Sequence, residues 1–274
     1  MVVRVRPAPN PMADPKHLKT SSPLPGPSHP AVELKGVAFA IAVLGLTITT
    51  LTPSTTSRAA EGVTLTSYGH GAVLIQGGGT RVLLNPFQAV ACASGLAEPR
   101  VSADVILASS RLRDEGAPVA SGRLLVKPGS YRLAGLQIEG VAGPHDRVGG
   151  RRFGSSTLWR WRQGGLDIAH LGGTAARLSP ADRVLLGRPD VLIIGVGGGA
   201  KIYTGEEAAE VVRELQPRRV VPVHYNSGTP PAGCDQGSVE PFLQAMAGTT
   251  VRRPGRSVRV VPPLGDAMVI EVMH

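Results

Sequence analysis

The sequence predicts a layered α/β fold, with two β-sheets packed face to face and helices outside them. Three observations carry this. Short apolar or alternating segments separated by Gly-rich turns run from Val63 to Val223. Helical signals are few and fall late in the chain. The order is strands first, then strands alternating with helices, which suits two sheets with covered outer faces.

Val63–Ser67 and Ala72–Gln76 alternate or run apolar, and Gly77-Gly78-Gly79 turns the chain into Arg81–Leu84, a hairpin signal. Val105–Ala108 reads as a short buried strand. Arg123–Lys127, Tyr131–Leu133 and Leu136–Val141 follow, with Pro128-Gly129 and Ala134-Gly135 at their turns. Ser156–Arg162, Leu166–His170, Val191–Val196 and Val220–Val223 complete the main series. On Trp159-Arg160-Trp161-Arg162 the strand period puts both Trp on one face and the arginines on the other. Ser179 caps a short helix to Leu186, with Pro180 at its first position. Thr204 and Glu207 form a capping box for a stronger one, whose stripe is Ala208, Val211, Val212 and Leu215. Glu240–Ala247 reads as a last helix.

The chain divides at residues 35 and 60. Residues 1–35 hold eight prolines and few large apolar groups, so little burial offsets ordering, and disorder is expected. Residues 36–60 hold an uncharged run from Gly36 to Pro53 behind Lys16, Lys19 and Lys35. The run is short for a span, which needs roughly 20 apolar residues. With Ser57-Arg58-Ala59 before Ala60 it reads as a signal peptide, or else an uncleaved anchor or a buried helix. Either membrane reading exports the 61–274 domain, because the positive charges stay inside. The expected location is therefore periplasm, lumen or extracellular space, or a membrane tether.

Of 29 Lys+Arg and 20 Asp+Glu, six and two precede Glu61, and nearly all later basic residues are Arg. No basic run is interleaved with aromatics, so nucleic acid is not an expected partner. Cys92 and Cys234 are the only cysteines. Whether they pair is open at this level, because nothing in the sequence brings them together.

Five short motifs occur in order: Ser67-Tyr68-Gly69-His70-Gly71-Ala72, Leu84-Asn85-Pro86-Phe87, Gly143-Pro144-His145, His170-Leu171-Gly172-Gly173-Thr174 and Val221-Pro222-Val223-His224-Tyr225. In this order and spacing they resemble the metallo-β-lactamase superfamily. The branch they resemble holds ascorbate-6-phosphate lactonase-like and N-acylphosphatidylethanolamine phospholipase D-like hydrolases. The resemblance covers Val63 to Tyr225, and by expectation the C-terminal strands to Val272. It implies an αββα four-layer sandwich with a one- or two-zinc site at the sheet edge. Such ions lower the pKa of a bound water toward neutrality and so create a nucleophile.

The departures from that pattern decide the function expected. After Asp104-Val105-Ile106-Leu107-Ala108, where the family carries His-x-His-x-Asp-His, this chain reads Ser109-Ser110-Arg111-Leu112-Arg113-Asp114-Glu115. Ser110 and Leu112 replace the first two histidines, and Leu112 offers no lone pair. Glu115 replaces the last histidine, Gly173 the bridging Asp, and Asn85 a usual Asp. Asp114, His145 and His224 remain. Asp114, Glu115, His145 and His224 are thus the candidate metal residues, with Asp114 and His224 the catalytic pair if the domain is active. His70 and His170 are expected around the site rather than as ligands. Adjacent Asp114 and Glu115 are expected to point apart, satisfied by hydrogen bonds or by Arg111 or Arg113. The Arg147–Arg152 loop offers an anion clamp or a solvated loop.

Two functions stay open. One is a non-catalytic or residual member binding a small anionic ligand or a protein partner in the old cleft, with no metal or one weakly held divalent ion. The other is a metal-dependent hydrolase of phosphodiester or lactone type using a single ion, zinc if family-like. Oligomeric state is left open.

Overall fold

The computed structural model describes residues 61–274; the segments read as a Pro-rich arm and as a signal or anchor lie outside the described residues. Fourteen strands form two mixed sheets. The first contains β1 (Val63–Ser67), β2 (Val73–Gly77), β3 (Thr80–Leu84), β4 (Ser102–Leu107), β5 (Ser121–Leu125) and β13 (Ser257–Val260), in the order β13-β1-β2-β3-β4-β5. The second contains β6 (Gly129–Leu133), β7 (Leu136–Pro144), β8 (Ser155–Gln163), β9 (Leu166–Leu171), β10 (Val191–Gly195), β11 (Arg219–Val223), β12 (Thr250–Gly255) and β14 (Val269–Met273). Its order is β12-β14-β11-β10-β9-β8-β7-β6.

The predicted hairpin is β2–β3, where Gly77 pairs with Thr80 and only Gly78 and Gly79 intervene. Both have positive φ, +59° and +77°, which a two-residue turn matched to strand twist requires. β3, β4 and β5 then run parallel, as do β9, β10 and β11. These two parallel runs matter most, because their carboxyl ends rise together.

Between the sheets, Leu65, Ile75, Val82, Leu84, Val105 and Leu107 of the first face Ile138, Trp159, Trp161, Ile168, Ile193 and Val221 of the second. Trp159 and Trp161 sit on the buried face, as the strand period predicts, and Arg160 and Arg162 face outward. The Trp159 indole also donates to the Ala108 carbonyl at 3.0 Å, tying the second sheet to the end of β4. At roughly 25 cal/mol per Å² of apolar surface buried, this interface contributes substantially to the stability of the domain.

Helices α1 (Pro180–Leu186), α2 (Gly205–Leu215) and α3 (Glu240–Ala245) cover the outer face of the second sheet. The expected Thr204–Glu207 capping box forms, and the Ser179 cap proves to be one as well, closed by Asp182. The outer face of the first sheet carries a small cluster, Leu74, Leu83, Ala103 and Ile106, with Tyr68, Val101 and Leu124 against it. No α-helix of the described residues belongs to that cluster. The segment between β4 and β5 folds as turns, and Gly116 and Pro118 account for that.

Cys92, in a single 3₁₀ turn at Ala91–Ala93, is bonded to Cys234 in the loop after β11, a sequence separation of 142. The bridge staples the two loops that flank the carboxyl ends of β3 and β11. Closing so long a loop removes much of the unfolded chain's freedom. Replacing both cysteines with alanine is expected to lower the unfolding free energy by about 2–5 kcal/mol in a denaturant titration. An unchanged midpoint would contradict this role.

Candidate functional site

The sequence-predicted residues gather at the carboxyl ends of the parallel strands, where open α/β sheets bind ligands. Asn85 follows β3, Ser109 and Ser110 follow β4, Gly172 and Gly173 follow β9, and His224 follows β11. His145 follows β7, and His70 comes from the β1–β2 turn.

Three of these residues have left-handed backbones, His70 (φ 49°), Asn85 (φ 38°) and His224 (φ 53°). A non-glycine residue held there costs roughly 1–3 kcal/mol and persists only when the surroundings over-determine it. Here they do. The His224 amide donates to the His70 carbonyl at 2.8 Å, and the Asn85 amide to Leu107 at 3.0 Å. The two imidazoles meet edge to face, centroids 4.4 Å apart. Gly71 makes this approach feasible, since a Cβ there would lie 2.2 Å from His224 Nε2.

Asn85 is the hub of a buried polar set. Its side-chain oxygen accepts from the Ser109 amide at 2.8 Å, and its nitrogen donates to Ser109 Oγ at 3.1 Å, with His224 Nε2 at 3.5 Å. The Gly173 amide also donates to Ser109 Oγ, at 3.1 Å. Ser109 Oγ therefore receives two hydrogen bonds and is held as a structural post.

Beside this set lies a charged centre. Glu115 is fully buried. Its carboxylate accepts from Ser110 Oγ at 3.0 Å and faces His145 Nε2 at 3.0 and 3.2 Å. Lys201 Nζ lies 2.6 Å from Asp114 Oδ2 and 3.5 Å from Glu115 Oε1. Asp114 and Glu115, expected to diverge, thus converge on one ammonium. Arg111 and Arg113 do not serve them; the Arg113 guanidinium donates instead to Gln88. Sequence reasoning missed Lys201. The one available hint was scarcity, shared with Lys127: these are the only lysines after Lys35 in an arginine-rich chain, and lysine supplies a compact point charge that a guanidinium cannot.

The electrostatics follow from burial and pairing. Burial works against the Lys201 ammonium, but the charges of Glu115 and Asp114 outweigh it and raise its pKa above the ordinary lysine value. Burial would raise Glu115; the His145 hydrogen bond and charge, then Lys201, bring it well below the usual carboxylate range. Burial pushes His170 down to about 3 and His224 well below its ordinary value. His170, expected around the site rather than as a ligand, is buried, and neither ring nitrogen has a partner among the described residues. Burial keeps this imidazole neutral near pH 7, and a Cβ on Gly172 would strike its Cε1 at 2.3 Å.

The residues present do not fit the family's metal centre. A zinc site needs three protein ligands and an open position, and no group of three His, Cys, Asp or Glu able to hold an ion occurs among the described residues. At Gly173 a Cβ would lie 2.4 Å from Glu115 Oε2. A side chain at 173 would therefore collide with the Glu115 carboxylate, and the Lys201 ammonium already sits within 2.6 Å of Asp114 and 3.5 Å of Glu115.

The arginine loop is not a free anion clamp. Arg147 pairs with Glu207 at 2.5 Å and donates to the carbonyls of Gly199 and Ile202 at 2.6 and 2.8 Å. Asp146 accepts from the amides of Val148, Gly150, Arg152 and Phe153, which closes the loop on itself. A separate cavity of about 710 Å³ opens beside His70, lined by Tyr68, Leu96, Tyr225, Asn226 and Arg256 among others. The Arg256 guanidinium lies 4.7 Å above the Tyr68 ring and has no carboxylate partner among the described residues.

Two face-to-face mixed sheets, with the motif residues at their carboxyl edge, define a metallo-β-lactamase-type sandwich. The family model described as "Beta-lactamase superfamily domain" matches residues 64–224, and the chain belongs to that family. A Thermus thermophilus protein named "UPF0173 metal-dependent hydrolase" is 28% identical over 194 residues, with 59% of this chain and 83% of the relative covered. Two Pyrococcus furiosus relatives are matched over less of their length. One, a "UPF0173 protein", is 40% identical over 65 residues, covering 24% of this chain and 30% of its own. The other, a "UPF0173 metal-dependent hydrolase", is 27% identical over 134 residues, covering 48% and 59%. A crystal structure of a metallo-β-lactamase superfamily protein from Thermotoga maritima superposes with TM-score 0.63 at 24% identity, covering 77% of this chain and 98% of that one. At that identity the likeness concerns the fold.

The buried groups set an acid limit on stability. His170 stays neutral in the folded protein down to about 3, whereas the unfolded chain takes up its proton near 6.5. Its contribution is complete above that value and is lost as the pH falls from 6.5 toward 3. Glu115, with its folded pKa depressed, contributes fully above 4.5 and loses that contribution below it. Unfolding free energy should therefore be flat near pH 7 and fall below about 6.5. In His170→Gln, the slope between pH 4 and 6 should shrink by up to about 1.4 kcal/mol per pH unit, the linkage of one proton. An identical slope in the variant would refute the assignment.

Proposed function

We propose that this domain is a cleft-binding member of a family whose relatives are named metal-dependent hydrolases, and that it no longer carries a hydrolytic metal centre. The observation supporting this is the Gly173–Glu115 exchange. Glu115 fills the space of the bridging carboxylate and spends its oxygens on Ser110, His145 and Lys201. What remains chemically useful is the cavity beside His70. Arg256 offers a cation to a carboxylate or phosphate, and Tyr68, Leu96 and Tyr225 offer apolar surface to the body of a small ligand. The binding partner in this reading is a small anionic molecule.

A second reading has its own support, and likeness favours it over the first. The Thermus and one of the Pyrococcus relatives are named metal-dependent hydrolases, which argues for a divalent ion. Asp114, Glu115, His145 and His224 are the residues that would hold it, with the hydrolytic water as the chemistry supplied. Against it stands the Lys201 ammonium already seated between two of those groups.

We also infer export. A disulfide belongs to oxidising compartments, and Cys92–Cys234 supports the reading of residues 36–60 as a signal or anchor. Among the described residues no helix is long and apolar enough to cross a membrane.

The full-length protein, purified without chelator and dialysed against buffer containing a mild one, should retain far less than one equivalent of zinc or manganese by elemental analysis. It should also leave an activated phosphodiester and a simple lactone unhydrolysed with either metal supplied. Stoichiometric metal, with metal-dependent turnover that His224→Ala abolishes, would establish the second reading.

A further inference from the structure

We propose that the Lys201 ammonium is a built-in substitute for a metal cation: it neutralises Asp114 and Glu115, holds the site loops together, and keeps divalent ions out. This rests on the reading that the domain carries no hydrolytic metal, and extends it to what took the metal's place.

The loop that delivers Lys201 is braced on each side. Arg147 donates to the carbonyl of Gly199 before the lysine and of Ile202 after it, while its charge is balanced by Glu207. The Ala200 amide donates to Asp235 Oδ2 at 2.7 Å. Gly199 is what lets Asp235 come so close, since a Cβ there would lie 2.5 Å from the Asp235 carboxyl carbon. Asp235 is itself the neighbour of Cys234, which the disulfide fixes to Cys92. Phe153 covers the ammonium, Nζ lying 5.7 Å from the ring centroid, and its ring also packs against His145 at 6.2 Å. A charged lysine whose loop is braced by Arg147 and Asp235, and which an aromatic ring shields, is positioned, whereas a surface lysine is free to rotate.

The contacts it makes are those a cation would make. One ammonium touches carboxylates from two adjacent residues, with side-chain exposures of 13%, 11% and 1% for Lys201, Asp114 and Glu115. Removing a single partner from such a buried set leaves an uncompensated charge. Two convergent carboxylates with water completing the shell suit a hard, oxygen-preferring ion such as manganese or magnesium. Deleting the lysine should therefore convert an ion-excluding centre into an ion-binding one. No bond is made or broken in this exchange.

The test compares the full-length chain with Lys201→Met, close in shape but uncharged, and with Lys201→Met/Asp114→Asn. Manganese uptake is read from loss of the free-ion electron paramagnetic resonance signal. The wild type should leave the signal unchanged. Lys201→Met should take up one equivalent, binding at least about tenfold more tightly than wild type, as expected for loss of one like charge beside the site, and its melting temperature should rise with manganese. The double variant should lose that uptake. A folded Lys201→Met that ignores manganese overturns this proposal and leaves the reading of the domain as metal-free intact. Stoichiometric uptake by the wild type overturns both. Should Lys201→Met fail to fold, ¹⁵N-lysine spectra of the wild type decide. A Lys201 ammonium exchanging protons with water much more slowly than Lys127 supports the proposal, and one indistinguishable from Lys127 overturns it.

Discussion

Two neighbouring carboxylates, Asp114 and Glu115, leave the end of β4 and turn inward, with almost no access to water. Burying ionised carboxylates is affordable only when an opposite charge and hydrogen bonds meet them. That requirement explains why loops distant in sequence come together here. His145 arrives after β7, Ser110 comes from the carboxylates' own loop after β4, and Lys201 from the glycine run after β10. Each loop is in turn fixed by something outside the centre. Asp146 ties the 148–153 segment, Arg147 and Asp235 tie the 199–202 segment, and the disulfide ties the rim.

The frame beneath the centre is that of a hydrolase family, and parts of it are kept at a cost. Three non-glycine residues with left-handed backbones, His70, Asn85 and His224, still surround the site. Gly71 and Gly197 still allow the close approaches that seat His224; a Cβ on Gly197 would lie 2.1 Å from the His224 carbonyl. A frame under such constraint has few ways to relax. The side-chain charge at this centre accordingly draws on residues from more than one motif. Glycine at 173 makes room for Glu115, glutamate at 115 accepts from Ser110 and faces His145, and lysine at 201 supplies the charge.

Much of the fold was legible in the sequence because local and long-range demands agree there. The Gly78-Gly79 turn, the Ser179 cap, the Thr204 capping box and the Trp159/Trp161 alternation each specify a structure that packing then uses. Boundaries drifted where pairing overrides local preference: β7 runs on to Pro144 because β8 pairs with it through Ser155. The site was legible as a set of positions, since each motif ends a strand. Its electrostatics were not. Nothing local distinguishes Lys201 from a surface lysine, and its role depends on contacts 86 and 87 residues away along the chain. The divergence expected of Asp114 and Glu115 failed for the same reason, because the turn that aims both inward is set by Gly116, where a Cβ would strike the Ser110 carbonyl at 2.0 Å. The Cys92–Cys234 pairing likewise depends on topology, through the parallel β3–β4 and β10–β11 runs that bring the two loops to one edge.

We take the Lys201 ammonium to stand where a metal ion would otherwise sit. Anomalous diffraction from crystals of the wild-type protein soaked in zinc and, separately, in manganese tests it directly. With the ammonium seated, no anomalous peak is expected between Asp114 and Glu115, and Lys201 Nζ stays within hydrogen-bonding distance of Asp114 in both soaks. A peak at that position, with Lys201 swung out to solvent, would contradict it.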